Sequence, residues 1–222
     1  MVSARRARTQ TRRRNILDAA LALFLERGVS ETTADDIRAT SGASVGSLYH
    51  HFSGGKEDVA AALYLETIAE YQAGFLAELR RHRRAATGVR ATVRYHLRWV
   101  ETHRDAARFL FNYGDLELRS PIDDELAQLN TRLVTDVRNW ATDVGAEELT
   151  NLPVDVATAI WIGPAQQFAR RWLAGGTTTS IDRAARLLAA GASAALSAAT
   201  RLGPIGDRRN AEGRKRWNES GS

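Results

Sequence analysis

The segment between residues 32 and 57 contains the start and stop signals of two short helices separated by a tight turn. Thr33 predicts a capping box with the aspartate three residues later, which begins the first of these helices. Gly42 predicts the left-handed turn that ends it. Ser44 then caps a second helix that runs from Val45 to His51. Signals this closely spaced constrain the segment to a compact helix–turn–helix.

The rest of the chain is also predicted to be helical. Ala, Leu, Arg and Glu predominate among the 222 residues, and only four residues are proline. Apolar residues recur at helical spacing, and no segment alternates convincingly as a strand would. The sequence therefore predicts an all-α protein with nine helices and a two-domain architecture. The expected parts are a basic arm over 1–14, a helix–turn–helix domain over 15–55, a helical domain over 56–202 and a disordered tail over 203–222.

Two helix boundaries follow from particular residues. The first helix is expected to run from about Thr11 to Arg27, where Gly28 ends it. Ser120 and the proline after it are expected to open another helix as its cap and first residue. Pro164 is expected to kink the helix that begins near Pro153.

Several classes of site are excluded or disfavoured. The chain has no cysteine, so disulfides and thiolate metal sites are excluded. His96 and His103 would lie about 10 Å apart along a helix, too far for one metal ion to bind both. The apolar segment over 187–199 is shorter than the roughly 20 residues that a membrane span needs. We therefore expect a cytoplasmic protein without metal or cofactor and without membrane contact.

Positive charge is concentrated at the start of the chain. The first 14 residues contain six arginines and no acidic residue, whereas the body of the chain is mildly acidic. Such a distribution is typical of a protein that binds a polyanion, and an arm of this kind can lie in the minor groove of DNA. The alternative is an unstructured tail that increases solubility.

The helix–turn–helix has the pattern required for docking into the major groove of DNA. Ile37, Val45 and Leu48 are expected to pack inward on the first helix, while polar side chains face a groove. Lys56 lies at a helix N-terminus, where a cation opposes the helix dipole unless a phosphate binds there. The predicted DNA-contacting residues are Thr32, Thr33, Ser44, Val45, Gly46, Ser47, Tyr49, His50 and Lys56.

The ordered pattern IL-AA--LF-E-G---TT--DI, then SGAS-GSLYHHF and KE, resembles the DNA-binding region of the tetracycline-repressor (TetR) family. The turn before Lys56 is one residue longer than the commonest form in that family. The resemblance implies that Tyr49 and Lys56 contact phosphates and that Phe52 packs in the core. It implies base-edge contacts for Ser44, Val45, Ser47 and His50. It also implies that the residues after Lys56 form a helical domain that binds a small molecule and forms a homodimer.

Two stripes of the later helices fit those roles. Polar groups mixed with aromatic side chains suit a pocket for an organic ligand, although plain core packing is the alternative. The predicted ligand-binding residues are Thr92, His96, Trp99, His103, Phe111, Asn112, Tyr113, Trp161, Gln166 and Phe168. The last helix has a narrow apolar stripe that suits close helix packing across a dimer or within one chain. The predicted dimerisation residues are Ile181, Ala184, Ala185, Leu188, Ala192, Ala195, Leu196 and Ala199.

The leading hypothesis is a ligand-responsive transcriptional regulator, a repressor that a small-molecule effector releases from a palindromic operator. One alternative is an architectural protein that binds nucleic acid without sequence preference. Steep salt dependence without preference for any sequence would distinguish that alternative. The other alternative is a small helical enzyme. It is disfavoured because the sequence has no Gly-rich nucleotide loop and no recognisable arrangement of catalytic residues.

Overall fold

The computed structural model describes residues 2–113 and 119–201. This part of the chain is all-α, as predicted, with a short 3₁₀ turn over Glu147–Asn151 and no strand. Its helices are α1 (Val2–Arg27), α2 (Ala34–Ser41), α3 (Val45–His51), α4 (Lys56–Arg80), α5 (Ala85–Thr102), α6 (Arg104–Tyr113), α7 (Arg119–Asp143), α8 (Val154–Trp161), α9 (Gly163–Leu173) and α10 (Ile181–Arg201).

Helices α1–α3 and the start of α4 form one packing unit, called the head below. Its core consists of apolar side chains that α1 presents at helical spacing and a few from each short helix. These residues are Ile16, Leu17, Ala20, Leu23, Phe24, Val29, Ile37, Leu48, Phe52, Val59, Ala60, Leu63 and Tyr64. Phe109 of α6 and Ile122 of α7 complete the same cluster. The packing therefore crosses the domain boundary predicted at residue 55.

The rest of α4 and helices α5–α10 form the body. Helices α5 and α10 pack extensively against each other, and α4 packs on both α5 and α7. Gly88 allows a close approach at the start of α5, since a Cβ atom there would lie 2.4 Å from the Trp140 ring. The Trp140 Nε1 donates a hydrogen bond to the His82 carbonyl at 2.9 Å, which fixes the ring in this position.

Two helix boundaries differ from the predictions for identifiable reasons. Helix α1 begins at Val2 rather than near Thr11, because the chain has no glycine or proline before Gly28 to interrupt it. The predicted basic arm is thus the first half of α1. The helix expected to kink at Pro164 is instead two helices. Pro164 lies in the first turn of α9, where its missing N–H costs no hydrogen bond. This break explains why the described residues form ten α-helices where nine were predicted.

Helix α7 already includes Ser120, so this serine is not the residue that begins the helix. The tail predicted to be disordered over 203–222 lies outside the described residues. None of the helices in the described part of the chain combines the length and the apolar composition that a membrane span requires.

Candidate nucleic-acid interface and ligand cavities

The short helices of the head are held by the caps that the sequence predicts. The Thr33 hydroxyl accepts a hydrogen bond from the Asp36 N–H at 3.1 Å, and the Asp36 carboxylate accepts one from the Thr33 N–H at 3.0 Å. The Thr33 hydroxyl also donates to Asp36, and these bonds hold the pKa of that carboxyl below its ordinary value, aided by the charge of Arg27. Gly42 has φ 66°, and the Ser44 hydroxyl accepts from the Ser47 N–H at 3.2 Å.

Helix α3 is anchored on one side and open on the other. Leu48 is buried in the head core, together with Ile37 of α2. On the opposite side Val45 is 57% exposed and Tyr49 is 50% exposed. The prediction that Val45 packs inward is therefore wrong, because the first turn of α3 projects beyond the core. A Cβ atom on Gly46 would meet nothing within 4 Å, so the N-terminal turn of α3 is accessible to a large partner.

Tyr49 and Lys56 are brought together by the turn between α3 and α4. Gly55 has φ 72°, and a Cβ atom there would lie 3.7 Å from a ring carbon of Tyr49. Asp58 closes this turn by accepting a hydrogen bond from the Gly54 N–H at 2.7 Å. The Lys56 ammonium donates to the Ser30 carbonyl at 3.3 Å, and no side chain caps α4. An anion can therefore approach both the lysine and the N-terminus of α4.

One predicted DNA contact is wrong. Thr32 is fully buried, and its hydroxyl donates to the Gly28 carbonyl at 2.7 Å within the loop between α1 and α2. Its side chain stabilises that loop and is not accessible to DNA. Thr33, Ser44 and His50 are exposed, and Ser47 is half-buried.

The arginines of the predicted arm do not form a single free cluster. Arg13 pairs with Glu66 and lies over the Phe52 ring at 5.2 Å, and Arg14 pairs with Asp18 at 3.0 Å. The exposed arginines of α1 without an ion pair to any described residue are Arg6, Arg8 and Arg12. Burial lowers the pKa of His51, and the charges of His50, Arg13 and Arg12 lower it further. The region beside α3 is therefore positively charged.

Two adjacent cavities lie among the described residues of the body. The larger one, of about 280 Å³, lies between α4, α7, α8 and the 3₁₀ turn, and its walls are mainly apolar. Gln72 and Asn130 form an amide hydrogen bond of 2.9 Å on its wall. The smaller one, of about 160 Å³, lies between α4, α5, α6 and α9. Residues Ile68, Tyr71 and Gln166 line both.

The structure brings about half of the predicted ligand-binding residues to these cavities. His96, Trp99 and Phe111 line the smaller cavity, Trp161 lines the larger one, and Gln166 lines both. Thr92 does not line either, because it is fully buried and accepts a hydrogen bond from the Trp161 Nε1 at 3.0 Å. The other predicted residues that line neither cavity are His103, Asn112 and Phe168. The side chain of Tyr113 lies outside the described residues.

His103 and Asn112 are both exposed near helix ends. His103 stacks on Trp99 from outside at a centroid distance of 5.0 Å. The predicted set missed the lining residues of α4 and α7, among them Tyr71, Gln72, Phe75, Asn130 and Val137, and it also missed Arg170 of α9. Tyr71 and Phe75 are four residues apart, which is the spacing of one side of a helix. Nothing in the sequence distinguishes the lining residues of α7 from ordinary core residues.

The predicted dimerisation stripe is wrong in most of its members. Five of its residues are buried within this chain, where α10 packs on α5, α8 and α9. They are Ile181, Ala184, Ala185, Ala192 and Leu196. Leu188 and Ala199 are half-buried, and Ala195 is exposed. The opposite side of α10 is exposed, and it is also apolar, with Leu187 at 63% exposure followed by Ala190, Gly191, Ala194 and Ala198. Those five residues are called the outer strip below.

Residues that bind metals do not come together in the described ranges, where no three His, Asp or Glu side chains form a group able to hold an ion.

Comparison with known proteins places the head in a family. Residues 16–63 match the model of "Bacterial regulatory proteins, tetR family". The HTH-type transcriptional regulator SrpR of Pseudomonas putida is 40% identical over 57 residues, which cover 26% of this chain and 27% of that protein. The HTH-type transcriptional repressor KstR2 of Rhodococcus jostii is 54% identical over 41 residues, covering 18% of this chain and 20% of that protein. The matched segments thus span about a quarter or less of these relatives.

Solved structures share the fold of nearly the whole chain. A TetR family regulator from Marinobacter aquaeolei VT8 has a TM-score of 0.70 and 18% sequence identity, covering 86% of this chain and 97% of its own. The regulator FadR from Bacillus subtilis, solved with stearoyl-CoA, has a TM-score of 0.60 and 17% identity, covering 79% of this chain and 94% of its own. At these identities the likeness concerns the fold. Residues 16–63 therefore match the DNA-binding region of the TetR family of bacterial regulatory proteins, and the chain shares the two-domain helical fold of solved TetR family regulators.

Proposed function

We propose that this protein is a transcriptional regulator that acts as a repressor and is released from a palindromic operator by a small organic effector. The observation that carries the proposal is the exposed face of α3. Its opposite side packs into the core of the head, and Lys56 lies beside it. Relatives of the head are named as transcriptional regulators and repressors. Such a protein is a binding protein rather than an enzyme, and it works in the cytoplasm, where bacterial DNA lies.

Helix α3 is suited to lie in the major groove with its N-terminal turn toward the bases. Val45 offers an apolar contact to a thymine methyl group, and Gly46 leaves room for a close approach. Tyr49 and Lys56 lie at the edge of this surface, where their hydroxyl and ammonium groups reach the phosphate backbone. Arg6, Arg8 and Arg12 extend the positive surface along α1 toward the neighbouring groove.

A homodimer would supply the second reading helix that specific affinity requires. The outer strip of α10 favours such a dimer, because a helix with apolar residues on both sides is usually buried on both. Val154 and Val156 of α8 are also exposed, which extends the apolar surface beside α10. We therefore place the dimer contact on the outer strip and on α8, in place of the stripe predicted from periodicity alone.

Helix α6 provides a physical connection between the cavities and the head. Phe109 is fully buried and stacks on Phe24 of α1 at a centroid distance of 5.9 Å. The next two residues, Leu110 and Phe111, line the smaller cavity. A ligand that displaces α6 thus moves the packing of α1 directly. If the free energy of operator binding differs by about a few kcal/mol between two positions of α6, this difference is enough for regulation.

The proposal is tested by selecting binding sites from a random DNA library with the purified protein at near-physiological salt. We expect one palindromic sequence to be enriched. Tyr49→Phe and Lys56→Ala should weaken binding to it, while Arg171→Gln on the exposed side of α9 should not. Salt-sensitive binding with no enriched sequence would contradict the proposal and support the architectural alternative.

The dimer is tested by Leu187→Glu, which places a charge on the outer strip without touching the core. Analytical ultracentrifugation should show a dimer for the wild type and a folded monomer for this variant. Thr131→Glu adds the same charge on an exposed position of α7 and should leave the dimer intact. A wild-type monomer, or a dimer that tolerates Leu187→Glu, would exclude this interface.

A further inference from the structure

His96 is buried and has one ring nitrogen without a partner. The residue is 3% exposed and lines the smaller cavity. Its Nδ1 lies 2.9 Å from the Tyr71 hydroxyl, whereas its Nε2 has no hydrogen-bond partner among the described residues. Burial lowers the pKa of His96 to about 4, so the ring is neutral near pH 7. A buried polar atom without a partner costs free energy unless a ligand supplies the missing bond.

The Tyr71 contact indicates which group the ligand must offer. A phenol hydroxyl is a good donor, and a neutral imidazole has one nitrogen that accepts and one that donates. When the Tyr71 hydroxyl donates to Nδ1, the ring proton lies on Nε2. His96 then presents an N–H donor at the cavity wall, and this donor requires an oxygen acceptor.

Arg170 adds a positive charge to the same cavity. It lines the smaller cavity from α9, where one of its guanidinium nitrogens donates to the Phe111 carbonyl at 3.1 Å. The guanidinium lies over the Phe111 ring at 4.8 Å, which fixes its position at the rim. Its side chain forms no ion pair with any described carboxylate, so its charge is available to an anion. A neutral N–H donor and a guanidinium on one cavity suit a carboxylate.

The larger cavity supplies a place for an apolar chain. Its walls include Ile68, Phe75, Leu133, Val137 and Leu149. Its amide side chains Gln72 and Asn130 bond to each other, so the Gln72 NH2 and the Asn130 carbonyl already have a partner before a ligand enters. The lining residues of α4 run from Tyr64 in the smaller cavity to Phe75 in the larger one, a length of about 16 Å along the helix.

We propose that the effector is an elongated apolar carboxylate, whose hydrocarbon chain lies in the larger cavity and whose carboxylate lies between His96 and Arg170 in the smaller one. This inference rests on the proposed function, because it identifies the effector of the regulator. A thioester of the same acid has the same carbonyl oxygen as acceptor but lacks the negative charge of the carboxylate. Binding experiments can therefore distinguish the free acid from its thioester.

The test is calorimetric titration of the DNA-free dimer with laurate, dodecanol, dodecyltrimethylammonium and lauroyl-CoA at pH 7.4. We expect one laurate per chain, with dodecanol and the cation bound at least about tenfold more weakly, since each lacks the charge-assisted hydrogen bonds. Binding of dodecanol as tight as that of laurate would overturn the proposal. Tighter binding of lauroyl-CoA than of laurate would overturn the free carboxylate as effector.

Variants locate the carboxylate. Arg170→Gln should weaken laurate binding about tenfold and leave dodecanol binding unchanged. Arg171→Gln, the neighbouring arginine that lines neither cavity, is the matched control. Arg138→Gln tests the opposite end, since Arg138 lines the larger cavity. A tenfold loss at Arg138 with none at Arg170 would overturn the proposed orientation.

Nitrogen-15 NMR of the histidine rings measures the hydrogen bonding of the His96 nitrogens directly. Laurate would not change these resonances if His96 only stabilised the fold. Laurate should shift the His96 Nε2 resonance toward that of a hydrogen-bonded donor, and dodecanol should shift it less. An unchanged His96 spectrum at saturating laurate would overturn the role of this residue. The titrations contain no DNA, so a failure to bind laurate would not affect the evidence for sequence-specific DNA binding. Likewise, a failure to select a DNA sequence would not affect the ligand-binding result.

Discussion

The head and the body are both built from helices, but the positions of those helices depend on local signals in the head and on distant packing partners in the body. In the head, each short helix begins and ends at a residue with a local reason to be there, such as Thr33, Gly42 and Ser44. In the body, which side of a helix faces inward depends on neighbours far along the chain. Local causes can be recognised in a sequence, whereas packing partners cannot.

Helix α10 illustrates the difference most clearly. Its inward stripe, which includes Ala184 and Leu196, and its outer strip, which includes Leu187 and Ala194, are both apolar at helical spacing. Periodicity identifies each stripe but gives no means of deciding which one packs on the chain itself. Only the position of α5 decides it.

Loss of the contact that joins the two regions should have the largest effect. Phe109→Ala removes a fully buried ring that stacks on Phe24 and contacts Tyr64, so we expect a loss of about 3–5 kcal/mol in the free energy of unfolding. The head contains no tryptophan, and four of the five tryptophans, Trp99, Trp140, Trp161 and Trp172, lie in the body. The fifth, Trp217, lies outside the described residues. Tryptophan fluorescence therefore mainly follows the body.

Urea unfolding followed by both circular dichroism and fluorescence tests this expectation. The two signals should coincide in the wild type and separate in Phe109→Ala, with the head unfolding first. Phe111→Ala, a half-buried neighbour, should cause a smaller loss and no separation. Coincident curves and a loss below about 1 kcal/mol for Phe109→Ala would show that α6 does not join the two regions.

Acid should destabilise the body through His96. Its pKa is lowered from 6.5 to about 4 by burial, so the unfolded chain binds a proton between these values and the folded chain does not. This contribution to stability is complete above pH 6.5 and is lost as the pH falls toward 4, with a total of about 3 kcal/mol. His96→Gln, which cannot titrate, should lose correspondingly less stability over the same range in urea titrations. Equal losses in both proteins would show that His96 is protonated when folded.

Close packing in the body should make one glycine intolerant of substitution. Gly88→Ala places a Cβ atom against the Trp140 ring, which its hydrogen bond to His82 prevents from moving, so we expect a loss of about 1–3 kcal/mol. Gly46→Ala is the matched change in the head, where the space is open, and it should leave stability unchanged or raise it by less than about 1 kcal/mol. Thermal unfolding of the two variants distinguishes them, and a stabilised Gly88→Ala would mean that Trp140 is free to shift.

The smallest effect should come from a cap in the head. Thr33→Ala removes one half of the capping box with Asp36, at a cost of about 1 kcal/mol. Thr11→Ala, an exposed position within α1, should cost nothing, because alanine is the better helix former. If chemical denaturation gives equal stabilities for the two variants, the capping box contributes nothing to the head.

The sequence was sufficient for the class of fold and for most of the head. Three interpretations failed there: two concerned the environment of a side chain, and one concerned the residue at which a helix begins. Thr32 is buried, Val45 is exposed, and the arginines of the arm belong to α1. In the body, His96, Trp99 and Gln166 were found from their residue types, but the α7 side of the larger cavity was not. An apolar residue that lines a cavity and one that fills a core have the same periodicity.

The most direct test of the account is hydroxyl-radical footprinting of the selected operator with the wild type and with Leu187→Glu. Two reading helices on a dimer predict two protected segments related by two-fold symmetry and lying on one side of the duplex. The symmetric pattern should disappear with Leu187→Glu at equal protein concentration, although the variant remains folded. A single protected segment in the wild type, or protection that does not depend on the DNA sequence, would contradict the central claim.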